Sequence, residues 1–257
     1  MATRATLDAK LHKLEEHLAS QDEQILAEFQ ERLDMSWIYH DSALEGSVLS
    51  RDELKSAMDK DVVPDVSLIP IHDEIRAHKA AIDFVREIAA QRKKIPLTVE
   101  TILKLRDVLS PNENAETLAL EGPYRKDTPV HRLYFHDIPA ADKIPGEMKK
   151  LADWLADPET KKLTSLRLGA KLHFKLMQIY PFPKHSGKIA RLAMNLVLLR
   201  GGYPPAIIHS TDRQRYYESL RGPSTLLYNL MVDSLENSID SAIKVFIEAR
   251  SGRHAMA

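Results

Sequence analysis

Leu7, Leu11, Leu14 and Leu18 recur at three- and four-residue steps with Lys and Glu between them, the spacing of a helix with one apolar face. The same period predicts a helix over 33–44 that ends at Gly46, the residue type favoured just past a helix C-terminus. Ser50-Arg51-Asp52-Glu53 has capping-box spacing and predicts a short helix after Ser50. Ile71, Ile75, Ile82, Val85 and Ile88 mark a helix within 69–92, and Thr98, after Pro96, opens another to Leu109. Further helices are predicted over 145–156, 165–179, 187–200, 212–220 and 224–249, followed by a frayed tail over 250–257.

The pattern changes between Pro111 and Pro145, where Pro123, Pro129 and Pro139 join turn-forming Asn112 and Asn114. Inside that stretch, residues 130–135 (Val-His-Arg-Leu-Tyr-Phe) form the best strand candidate, so 124–138 reads as a short hairpin or extended flap. The expected fold is therefore mainly α, a helical bundle with a small β-hairpin flap. Only 9 Gly and 6% aromatic residues agree with that expectation.

The 257 residues suffice for a proper core. With 36 Lys+Arg against 37 Asp+Glu, the net charge of −1 gives no reason to expect a nucleic-acid partner. At 28% charged residues and with no long apolar run, no membrane span or secretory segment is expected, and the location expected is cytoplasmic. The absence of cysteine excludes disulfides, thiol catalysis, zinc fingers and iron–sulfur clusters. No metal-ligand set is expected elsewhere.

Chemistry concentrates between two long helices, in Ile179-Tyr180-Pro181-Phe182-Pro183-Lys184-His185-Ser186-Gly187-Lys188. A proline-punctuated loop ending in Gly at a helix start leaves backbone N–H groups free, and the helix dipole adds positive potential. Lys184, His185 and Lys188 surround it, which makes it a candidate anion or phosphate site. An ordinary helix–helix connection with solvated lysines fits the same spacing.

The segment resembles the signature loop of the Fic (Fido) family, H-P-F-x-[D/E]-G-N-G-R-x-x-R, matching it at Pro181, Phe182, Gly187 and Arg191. Its flanks are similar too: His173-Phe174 before the loop, Gly202-Tyr203-Pro204 after the next helix, and Tyr216-Tyr217-Glu218-Ser219-Leu220. Gly122-Pro123-Tyr124-Arg125 resembles the family's entry into a flap that docks the target peptide. Asp41-Ser42-Ala43-Leu44-Glu45-Gly46 resembles its inhibitory-helix motif [S/T]-x-x-x-E-[G/N], with Asp41 where Ser or Thr belongs. The resemblance covers roughly 35–235. It implies an N-terminal helical region over 1–95 with an inhibitory-type helix at 33–46, and a Fic core over 96–249 with a flap at 122–139 and the motif loop at 180–191. It also implies an inhibitory trio of Ser42, Glu45 and Gly46. Tyr124, Arg125, Val130, His131 and Leu133 would dock a protein target by strand addition. A homodimer is a further option, because inhibitory helices of the family act within or between subunits.

Where the chain departs from the motif, it loses function-bearing groups. Tyr180 stands where the family's His takes a proton from the target hydroxyl, and a phenol of pKa ~10 is ionised in only about one molecule per thousand at neutral pH. Losing a matched base forfeits roughly 10²–10⁴ in rate. Lys184 replaces the acid that holds Mg²⁺, and an ammonium ~4 Å from a dication repels it by several kcal/mol at an effective dielectric near ~20. His185 and Ser186 replace the first Gly and the Asn of the phosphate cradle, and Lys188 replaces Arg, losing its bidentate fork. Base, metal, cradle and clamp are all altered. The resemblance also implies that Glu45 pairs with Arg191, which binds the γ-phosphate in the family.

Conventional adenylylation is therefore not expected. A degenerate module for binding or regulation, a pseudoenzyme, is the first reading, with an anion or nucleotide bound at His185, Ser186, Gly187, Lys188 and Arg191 without Mg²⁺. Altered transferase chemistry through Lys184, His185 or Lys188 is the second, and activity toward ATP through an unanticipated base the third. His173 reads as a structural histidine, His40 and Asp41 as helix-surface groups, Trp37 and Trp154 as packing anchors, and Asp233, Glu236 and Asp240 as a solvated stripe.

Overall fold

The computed structural model describes residues 4–59, 61–91, 95–111, 122–129 and 136–250. Its helices in chain order are α1 (Arg4–Ala19), α2 (Glu23–Leu44), α3 (Arg51–Met58), α4 (Ile69–Ala90), α5 (Val99–Leu109), α6 (Ile144–Ala156), α7 (Pro158–Lys161), α8 (Ser165–Ile179), α9 (Ser186–Arg200), α10 (Arg213–Arg221) and α11 (Ser224–Arg250). The helical architecture is as expected, and the boundaries of α5, α8 and α9 fall within a residue of those the sequence predicts.

Local chemistry sets the starts. Ser50 Oγ accepts from the Glu53 amide while the Glu53 carboxylate accepts from the Ser50 amide at 2.7 Å, a complete capping box for α3. Thr98 and Thr164 cap α5 and α8 through their side-chain oxygens. One difference is the start of α2, ten residues before the expected 33. Ile25, Leu26 and Phe29 supply its earlier apolar face, packing against a cluster built on α11, and Phe29 lies 4.7 Å from the Phe246 ring.

Helix α9 forms the centre of the molecule. Every residue from Ser186 to Leu198 is buried, a helix apolar on nearly all sides and enclosed by α4, α5 and α8. Gly169 permits the close approach of α8, because a Cβ there would lie 3.3 Å from the Met194 carbonyl oxygen. Trp37 is fully buried in the same core, whereas Trp154 is half-buried with Lys175 Nζ 5.0 Å over its ring.

The acidic face of α11 is more than a solvated stripe. Lys10 Nζ donates to both Glu236 and Asp240 at 2.6 Å, tying α1 to α11, and Arg215 pairs with Asp233 at 2.5 Å. Among the described residues no strand forms, and the strand candidate with Val130, His131 and Leu133 lies outside them. No described helix is long and apolar enough to cross a membrane.

Candidate functional site

The loop between α8 and α9 is shaped by two residues in the left-handed region. Tyr180 (φ 48°) ends α8, and its amide still donates to the Leu176 carbonyl at 2.7 Å. His185 (φ 61°) precedes α9. A left-handed residue explains the value of glycine at this position in the related motif, and His185 bears a cost of roughly 1–2 kcal/mol there. Between them Phe182 is fully buried, while Pro183 and Lys184 are exposed.

The Ser186 hydroxyl accepts from the Phe182 amide at 2.9 Å and donates to the Phe182 carbonyl at 3.0 Å. Its side chain therefore braces the loop from inside instead of pointing toward an anion. Arg125 braces it from outside. Its amide donates to Pro181 O at 2.9 Å, its Nε to Tyr180 O at 2.7 Å, and its Nη2 to Pro139 O at 2.5 Å. Tyr124 stands 6.2 Å from the Phe182 ring. Tyr124 and Arg125 thus buttress the loop.

The cations around the α9 N-terminus carry carboxylate partners. Lys188, 2% exposed, donates to Glu74 Oε1 of α4 at 2.6 Å. Arg191, 1% exposed, donates from Nε to Asp41 Oδ1 at 2.7 Å, from Nη2 to the Asp41 carbonyl at 3.3 Å and to Glu45 Oε1 at 3.0 Å. The pairing of Glu45 with Arg191 is as the resemblance implied. Glu45 also lies against the bare face of Gly187, where an added Cβ would come within 2.0 Å of Oε1. Its carboxylate therefore occupies the position at the α9 N-terminus that an anion would take. Lys184 makes no ion pair among the described residues.

Asp41 is the residue the sequence reading misplaced. It is fully buried rather than on the helix surface, and it faces Arg191 on one side and His78 Nε2, 3.3 Å from Oδ2, on the other. One helical step of about 100° sends His40 elsewhere, half-buried and stacked 4.2 Å from His209, its Nδ1 accepting from the Ser210 amide at 3.1 Å. A signal was present: Asp41 and Glu45 are four residues apart and so share a face. Ser42 is buried, and its carbonyl accepts from the Ser47 amide at 2.9 Å. Gly46 adopts φ 99° at the end of α2, and the Leu44 carbonyl accepts from Tyr217 Oη at 2.9 Å and Arg213 Nε at 3.2 Å. These bonds satisfy a carbonyl that a helix end leaves open.

Behind Arg191, Nη1 donates to Tyr216 Oη at 3.2 Å, and Tyr216 Oη lies 2.9 Å from His173 Nε2. His173 is fully buried and hydrogen-bonded to Tyr216, the environment the structural reading expects. Burial pushes its pKa down to about 3, with Arg191 adding to the effect, so the ring is neutral and its Nε2 accepts a hydrogen bond from the Tyr216 hydroxyl. Burial and then Lys188 lower His185 to about 4. For Asp41 burial acts upward, but Arg191 and His78 outweigh it and hold the carboxyl at about 2.

These groups give stability a definite pH slope. An unfolded histidine takes up its proton near pH 6.5, whereas His173 resists it to about pH 3. Between those values the unfolded chain binds more protons, so stability falls as pH falls. His173 alone accounts for a loss of ~2 kcal/mol between pH 7 and pH 5, and Asp41 adds to it below about pH 5, where an unfolded aspartate begins to protonate. Thermal unfolding across pH 5–7 is expected to follow this slope, which His173→Gln should reduce. His185, also held neutral, contributes over the same window, and an unchanged slope in the variant would remove His173 as one of the sources.

A cavity of about 480 Å³ opens beside the loop, with Asp73, Glu74 and Ala77 of α4 on one wall, Leu109 at the end of α5, and Lys184 and His185 at its edge.

Comparison with known proteins gives three findings. Residues 96–198 match the Fic/DOC family. The chain is 32% identical over 185 residues to a protein adenylyltransferase Fic of Nematostella vectensis, covering 71% of this chain and 42% of that protein. It is 29% identical over 185 residues to protein adenylyltransferase fic-1 of Caenorhabditis elegans, covering 72% and 35%. The chain therefore spans less than half the length of these curated relatives. Among solved structures, a fragment of Fic-1 from C. elegans superposes with a TM-score of 0.73 at 24% identity, covering 94% of this chain and 72% of that one. A Fic domain containing signaling protein from Bacteroides thetaiotaomicron gives 0.71 at 24% identity, covering 96% and 97%. At that identity the two structures speak for the fold.

Proposed function

The chain is a Fic-domain protein, and we propose that it no longer performs conventional magnesium- and ATP-dependent protein adenylylation, acting instead as a binding or regulatory module on that scaffold. The observation that carries this reading is the loop itself. Tyr180 and Lys184 stand at the positions of the motif's base and acid, and Tyr180 lies 4% exposed in the core.

The residues present do not fit a magnesium ion. The motif's acidic position holds an exposed lysine, and the carboxylates beside the cradle are already engaged, Glu45 and Asp41 by Arg191 and Glu74 by Lys188. A phosphate fits only partly. The α9 N-terminus and Arg191 are the right donors, but Glu45 already lies on both. An anion or nucleotide bound without magnesium, with Lys184 supplying positive charge at the rim, is part of the proposal. So is an extended protein segment added as a strand alongside 122–139. Transfer of AMP or another phosphate-containing group by altered chemistry is the competing reading, favoured by the cavity that Lys184 and His185 border.

The test is Glu45→Gly incubated with labelled ATP and magnesium, followed by autoradiography and intact-mass measurement of the protein and of a lysate. No label above that of a heat-inactivated sample is expected. Robust transfer of AMP overturns the proposal, and transfer of another mass selects the competing reading.

A further inference from the structure

In the motif that 41–46 resembles, one carboxylate closes the site; here two carboxylates from the same helix reach the same guanidinium. We infer that Asp41 is a second closing group, which holds Arg191 away from anions independently of Glu45. The inference rests on the reading of Arg191 as the cation that faces phosphate, and it concerns the regulation of that site.

Geometry separates the two contacts. Asp41 takes the Nε edge, with its side chain at 2.7 Å from Nε and its backbone carbonyl at 3.3 Å from Nη2. Glu45 takes Nη2 alone, at 3.0 Å, and is the more exposed of the pair, at 17% against 2%. Tyr216 Oη takes Nη1. Removing Glu45 therefore leaves every donor edge of Arg191 partly engaged. It also leaves a guanidinium whose charge a buried, ionised carboxylate still cancels. A serine or threonine at position 41, as the motif has it, supplies no such charge.

Asp41 is itself held from behind. His78 Nε2 of α4, fully buried, lies 3.3 Å from Oδ2, opposite the oxygen that Arg191 engages. Asp41 is therefore confined between α4 and α9, whereas Glu45 caps the C-terminal end of α2 and is the more exposed of the two. The site opens only if the last turn of α2 moves as a unit, carrying both carboxylates off Arg191.

The test is titration calorimetry with ADP in the presence of EDTA, comparing wild type, Glu45→Gln, Asp41→Asn and the double variant. Each single variant is expected to bind less than threefold tighter than wild type, and the double variant at least tenfold tighter. Equal affinity of Glu45→Gln and the double variant overturns the inference, as does absence of ADP binding in all four. Hydrogen exchange on Glu45→Gln supplies a readout that needs no Asp41 variant. Amides of 41–46 are expected to keep their protection within about threefold, and a tenfold or greater loss overturns the inference. Labelled AMP transfer is followed in parallel. Its appearance in the double variant would sink the proposed function while leaving the role of Asp41 standing.

Discussion

Arg191→Leu is expected to destabilise the protein by about 3–5 kcal/mol, the cost of leaving a buried charge without its counter-ion. Arg191 is the shared partner of Asp41, Glu45 and Tyr216, and its removal orphans a carboxylate that the fold cannot hydrate. Urea unfolding followed by Trp37 fluorescence reads the loss, since Trp37 is fully buried and becomes exposed on unfolding. Arg191→Lys keeps the charge and loses the fork, so it should recover only part of the stability. Arg191→Leu combined with Asp41→Leu should recover most of it, because an apolar pair of similar volume replaces an ion pair at little cost. A loss below about 1 kcal/mol for Arg191→Leu would mean that the pair is solvated, contrary to its burial.

Rebuilding the loop should have the largest functional effect. Tyr180→His, Lys184→Asp, His185→Gly, Ser186→Asn and Lys188→Arg together restore the motif that this loop resembles. Combined with Asp41→Ser and Glu45→Gly, they are expected to raise labelled AMP transfer by at least roughly 10²–10⁴ over the unmodified chain, the range a positioned base contributes. His185→Gly also relieves a left-handed conformation that histidine tolerates poorly. Transfer measured on the protein itself, with and without magnesium, checks the expectation. The same rebuilt loop with Asp41 retained should be at least tenfold less active. Failure of the complete rebuild to exceed the starting chain would place the obstacle outside the loop.

Much of this site was legible from spacing. The helices on either side of the loop, the capping box at Ser50 and the partnership of Glu45 with Arg191 all depend on local periodicity or on a linear motif. What escaped depends on contacts between distant segments. Glu74 neutralises Lys188 across 114 positions of chain, and no local pattern announces that pairing. It makes the folded loop less cationic than its lysines imply. Asp41 escaped for a different reason: its neighbour His40 drew attention to the outward face of α2, while the four-residue step to Glu45 defines the inward one. The expected flap fell in a proline-rich stretch with weak alternation, and its strand candidate at 130–135 lies outside the described residues.

The brace formed by Arg125 has a consequence for how such a protein changes over time. Its amide and Nε hold main-chain atoms of the loop, at Pro181 and Tyr180, and neither contact depends on which reactive group the loop displays. Foundation and payload are mechanically decoupled. Successive substitutions at the display positions can alter or erase a chemistry while the platform beneath them stays put, so kinship in shape outlives kinship in reaction.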